Sequence, residues 1–214
     1  MDEDIAIINS KSRNEKIKNF FIKNKKIIVV SLISIIIIIL SYFFYGELNK
    51  KKRNKLAGDF NSASINFTSK DNQNIKNEMI KIIEAKDTTY SPLALFFILD
   101  NNIIVPEKKI NELFDVIIYE TKLDKEIKNL IIYKKALFNS DFINENDLLK
   151  ILNPLINSET IWKSHALYLL GEYFFSKNEK QKSKDFFEKI LNLKNSNLNI
   201  KSKAQKRIQR DFSE

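Results

Sequence analysis

His165 is the one side chain in this 214-residue sequence with ordinary proton-transfer or metal-ligand chemistry near neutral pH. A metal site needs three or four such groups at fixed spacing. There are no cysteines, and no matched carboxylate pair stands at ligand spacing from His165. The missing thiols also exclude disulfides, cysteine nucleophiles and a lipid-modified N-terminal cysteine. His165 therefore reads as structural. Gly46, Gly58 and Gly171 are isolated, so no glycine-rich loop exists to cradle phosphate. Glu107–Glu112 and Glu145–Asp147 fall at expected helix starts, where the macrodipole favours negative charge. Lys180, Lys182, Lys184 and Lys189 read as a solvated run on the outer face of one helix, and Trp162 reads as core packing. No catalytic, metal-ligating or cofactor-binding residue is expected. The chain is read as a non-enzyme, without a cofactor, a nucleic-acid partner or a small-molecule substrate.

The net charge of +9 at first points to nucleic acid, but its placement does not. Residues 1–26 carry +3 and residues 47–55 carry +4, whereas residues 56–214 carry only +2. The excess flanks the apolar run Ile27–Tyr45, IIVVSLISIIIIILSYFFY, which holds no charge and no proline. As a helix with Ile36 at its middle, that run spans about 28 Å, close to the roughly 30 Å hydrocarbon core of a bilayer. Tyr42, Phe43, Phe44 and Tyr45 form the aromatic belt expected at an interface. A cleaved signal peptide would have a shorter apolar stretch and a small-residue cleavage site, and SYFFYG offers none. Lys11, Arg13, Lys16, Lys18, Lys23, Lys25 and Lys26 precede the span; Lys50, Lys51, Lys52, Arg53 and Lys55 follow it. The larger group favours a cytoplasmic N-terminus.

Three glycines and three prolines in the whole chain argue for helices joined by short polar loops. The organisation expected is a basic cytoplasmic tail (1–26), a transmembrane helix (27–46), a juxtamembrane helix (47–70) and a helical repeat domain (71–214). Within the last, helices are expected over Asn74–Lys86 and Ser91–Asp100, with Ser91 as N-cap and Pro92 at the first position. Another runs over Glu107–Glu120, with Ile110, Leu113, Phe114, Ile117 and Ile118 on its apolar face. Two pairs follow. Asp124–Asn139 packs through Ile127, Leu130, Ile131, the Lys134 stem and Leu137–Phe138; its partner Glu145–Ile156 uses Leu148, Leu149, Leu152 and Leu155. Thr160–Ser176 pairs with Glu179–Leu193. A last helix, Ile200–Phe212, turns Ala204 and Ile208 inward and Lys201, Lys203, Lys206, Arg207 and Arg210 outward.

Helix pairs in succession make an α-solenoid, and residues 162–194 form the clearest unit. Trp162, Leu167, Leu170, Gly171 and Phe174 share one face; Ser183, Phe187 and Leu191 share another. This large/small alternation resembles the tetratricopeptide repeat. Asn178 stands where that repeat has Gly, Ser183 where it has Ala, and the closing Pro is absent. Segments 91–120 and 124–157 fit only as helical hairpins. The fold class expected is all-α: one N-terminal transmembrane helix, then an α-solenoid of degenerate tetratricopeptide-like hairpins.

The basic tail, the single anchor, the YSPLALFFILDNN stretch (90–102) and the HALYLLGEYFFSKNEKQKSKDFFEKIL stretch with its basic last helix together resemble a bacterial family. It is the family of tetratricopeptide-like inner-membrane proteins that are ancillary subunits of the SecYEG translocon. The resemblance implies a periplasmic C-terminal domain and association with Sec translocon subunits, periplasmic chaperones or exported chains, beside the lipid bilayer itself. The residues alone leave open an adaptor in another envelope assembly or a cytoplasm-facing regulator.

Overall fold

The computed structural model describes residues 18–67 and 72–212. Lys11, Arg13 and Lys16 lie outside them. Among the described residues the chain is helical throughout, with no strand. It divides into two compact units at Lys55/Leu56.

Helix α1 runs from Lys25 to Ile65, 41 residues. Its most apolar window is wholly unburied, and α1 is the one described helix long and apolar enough to cross a membrane. Ile27, Ile36 and Tyr45 are all exposed along it. Ser34 Oγ donates to Val30 O at 2.9 Å, the back-bond that satisfies a hydroxyl inside a helix. The helix continues unbroken through the basic stretch 50–55 as far as Ile65.

The second unit begins with the last turns of α1. Phe60 sits against Tyr90 and Phe97, and Phe67 meets Phe97 edge-on at 5.3 Å. Seven further α-helices follow: α2 (Asn72–Glu84), α3 (Tyr90–Asp100), α4 (Glu107–Asp115), α5 (Lys125–Asn139), α6 (Glu145–Ile156), α7 (Lys163–Ser176) and α8 (Lys180–Leu191). Helix α9 (Leu198–Asp211) is the last. From α5 onward each helix packs on its sequence neighbour, and α5 also meets α7 as α7 meets α9.

Several expectations need correction. Ser91 is not the N-cap of α3. Its hydroxyl is buried and donates to Ile82 O at 2.8 Å, while the Asp87 carboxylate accepts from the N–H groups of Thr89 and Tyr90. A two-residue turn before Tyr90 puts Asp87 in the capping place. The main partner of α3 is α2 rather than α4, so the first hairpin is 72–100, not 91–120. The segment after Pro106 stays α-helical only to Asp115; Val116–Glu120 widens into a π turn. Thr121 Oγ1 closes that turn on Val116 O, five residues back. All five expected core residues of this segment are nevertheless buried. Helix α7 starts at Lys163, because Thr160 and Trp162 are held back on α5. On α5 the buried stripe is Asn129, Ile132, Ala136 and Asn139 beside Ile131, whereas Ile127 and Leu137 are exposed. Arg207 does not face outward: its side chain is 12% exposed and lies over Phe175, between Glu172 and Asp211.

With so few glycines, asparagine takes left-handed positions at helix ends. Asn178 (φ 61°) follows α7, with Glu179 N–H returning to Phe174 O. Asn102 (φ 50°) ends α3 in the same way, with Ile103 N–H returning to Ile98 O. Both are six-residue closures that satisfy otherwise unpaired carbonyls. Helix α4 is fastened to α5 by a reciprocal amide pair. Asn111 Nδ2 donates to Asn139 Oδ1 at 3.0 Å and Asn139 Nδ2 to Asn111 Oδ1 at 2.8 Å. Lys135 reaches Asp115 at 2.7 Å beside it.

Candidate functional site

The sequence places Trp162, Leu167, Leu170, Gly171, Phe174, Phe187 and Leu191 together; all but Trp162 lie in the α7–α8 hairpin, whereas Trp162 precedes α7 and stacks on Tyr133 of α5. Leu167, Leu170, Gly171, Phe174 and Phe187 are buried; Trp162 and Leu191 are half-buried. Gly171 lies flat on the Phe187 ring, so close that a Cβ would stand 2.5 Å from Cε1. Ser183 Oγ donates to Gly171 O at 2.8 Å across the same contact. The buried ones build the core of the hairpin.

Free apolar surface occurs instead where helices two apart in sequence come together. Between α3 and α5 lies a groove of about 580 Å3. Pro92, Leu93 and Phe96 form one wall, and Leu123, Ile127 and Leu130 the other. Leu93 is 42% and Ile127 43% exposed. Thr88, Lys122 and Asp124 stand at the polar rim. The Lys134 ammonium lies 5.5 Å from the centre of the Phe96 ring. Leu93 and Phe96 are the residues sequence periodicity missed. Their signal was the composition of α3, YSPLALFFILD, which is apolar around its whole circumference and so has more oily surface than one packed face can cover.

Further along α5, Tyr133 stacks on Trp162 with ring centres 5.7 Å apart, and His165 meets both rings. Trp162 Nε1 donates to Glu126 O. Thr160 Oγ1 donates to the Glu126 carboxylate at 2.8 Å and accepts from Asn129 Nδ2 at 3.0 Å. This network fixes the start of α7 on α5. Burial in the aromatic box holds the His165 pKa below its usual value, and the Lys203 ammonium presses it down further. Burial likewise raises the Tyr133 phenol. Among the described residues no group of three His, Cys, Asp or Glu could hold a metal ion.

The lysines of α8 are engaged at two positions. Lys182 pairs with Glu145 at 2.9 Å and Glu179 at 2.8 Å and lies over Phe174, and Lys189 lies over Phe186 at 4.5 Å. A last groove, between α7 and α9, is lined by Tyr168, Lys203, Lys206, Arg207, Gln209 and Arg210.

No protein-family model, no curated protein and no solved structure matches this chain.

Proposed function

We propose that this protein is a membrane-anchored protein-binding scaffold, not an enzyme, whose tetratricopeptide-like helices present the α3–α5 groove to an apolar segment of a partner. The observation that carries the reading is that groove: Leu93 and Ile127 stay about two-fifths exposed, on helices whose other apolar residues mostly lie in the core. Filling it with one Leu or Phe side chain contributes roughly 1.5–3 kcal/mol. Such weak contacts become useful when partner and groove are confined to one surface. The unburied apolar stretch of α1, with basic clusters at both ends, supplies that confinement as a single bilayer span. The greater positive charge before the span supports an N-terminus in the cytoplasm of a bacterial cell and the helical domain in the periplasm.

The family resemblance supports the Sec translocon, periplasmic chaperones or newly exported chains as partners. The test is a photocrosslinking residue at Leu93 or Ile127, in native membranes, with adducts identified by mass spectrometry. Translocon subunits or chaperones captured at these positions and not from Lys150, which is exposed on α6, are the expected result. Adducts drawn from a different envelope assembly select the adaptor reading, and no enriched protein adduct rejects the groove. A reporter fused after Glu214 fixes the side of the membrane.

A further inference from the structure

We infer that the α7–α9 groove is a separate site for a short acidic peptide segment, held in extended form by the unpaired Lys203 and Lys206 and by the N–H groups of Arg210 that its pairing with Asp211 leaves unused. The groove measures about 650 Å3, and all six of its lining side chains are polar or charged. Its charge is not balanced from within. Glu172 is taken by Arg207 at 2.8 Å, and Asp211 by Arg207 and by Arg210 at 2.8 Å. Lys203 and Lys206 are exposed and make no ion pair among the described residues. Tyr168 stays protonated, its pKa pushed up to about 12 by burial and then by Glu172, so it adds a neutral hydroxyl and no negative charge.

Helical geometry gives the ligand its size. Positions 203, 206 and 210 fall on one side of α9 and span about 10 Å at 1.5 Å per residue. An extended chain covers that distance in about three residues at roughly 3.3 Å each. Acidic side chains on one face of such a segment repeat every second residue, which brings two carboxylates to the row of cations. This inference does not depend on the α3–α5 groove.

The test uses the full chain in zwitterionic-lipid nanodiscs and a fluorescein-labelled peptide of about four glutamates, followed by anisotropy. Saturable binding is expected, weakening as salt rises from about 50 to about 300 mM. The all-glutamine peptide should not bind. A K203E/K206E variant should lose binding at least about tenfold, and the milder K203Q/K206Q variant should lose part of it with unchanged circular dichroism. Glutamines at Lys50, Lys51 and Lys52, or alanines at Leu93 and Ile127, should leave it intact. Binding that follows Lys50–Lys52 instead of Lys203 and Lys206 overturns the assignment. So does a site that takes soluble short-chain phosphatidylglycerol and ignores the peptide.

Discussion

An alanine at position 171 would set its methyl carbon 2.5 Å from the Phe187 ring, which is fully buried and has nowhere to turn. Alanine gains up to about 1 kcal/mol of helix propensity over glycine, while overpacking a tight core contact costs about 1–3 kcal/mol. The net expectation for Gly171→Ala is a loss of about 1–2 kcal/mol, measured by chemical denaturation. His165 gives a pH signature of its own. Its folded pKa is depressed chiefly by burial, so the folded state prefers neutral imidazole. The stability it contributes is complete above the unfolded value near 6.5 and drains away as pH falls through that value toward the depressed one. Stability should therefore fall as the pH drops below about 6.5, and a His165→Gln variant should show a flatter profile. Being the only histidine, it also gives one imidazole resonance to titrate. The close approach at Gly171 was legible in the sequence, because a glycine in the middle of an apolar helix face has few other uses. The burial of Arg207 was not: nothing local distinguishes it from Lys203 or Lys206, and its partners Glu172 and Phe175 lie on another helix.

Helix ends and helix faces carry the next set of consequences. Asp87 holds two backbone N–H groups at 2.8 Å each in front of α3. Asp87→Ala should cost about 1 kcal/mol, as for other caps, and Asp87→Asn should restore most of it; thermal melting of the two variants decides. The sequence favoured Ser91 here because Ser-Pro is a common helix opening, but the serine hydroxyl is spent on Ile82 O, in the neighbouring helix. Helices with a clear two-sided pattern have legible faces: Ile110, Leu113 and Phe114 of α4 and Leu148, Leu152 and Leu155 of α6 are buried, with Leu149 half-buried beside them. Helix α3 has no such pattern, and periodicity gave no direction for its partner. Hence the pairing with α2 emerged only in three dimensions. On α5 the tertiary contacts overrode the apolar count. Asn129 and Asn139 go inward because Thr160 and Asn111 satisfy their amides, and Ile127 is left at the groove.

At the scale of the whole molecule, the proposed span and the grooves differ in how they could be read. A bilayer-length apolar run is a property of consecutive residues, so it is plain in the sequence. Both grooves arise between helices that are not neighbours along the chain, α3 with α5 and α7 with α9, and no local pattern encodes them. If α1 is the anchor, arginines at Ile36 and Ile37 should each cost on the order of 2.5–3.5 kcal/mol of insertion free energy. The variant chain should then shift from the carbonate-resistant membrane fraction to the soluble one, and full retention would refute the span.

The reciprocal amides of Asn111 and Asn139 reach further than their own joint. Asn139 is almost fully enclosed, so sliding α4 along α5 by one turn would leave its carboxamide oxygen without the Asn111 donor. The joint thus has one register and resists shear. The α5 wall of the apolar groove is keyed through it to α4, which itself rests on α2, the main partner of α3. If a partner segment enters the proposed groove, it should meet a jaw of fixed gape, and selectivity should then come from shape rather than from accommodation.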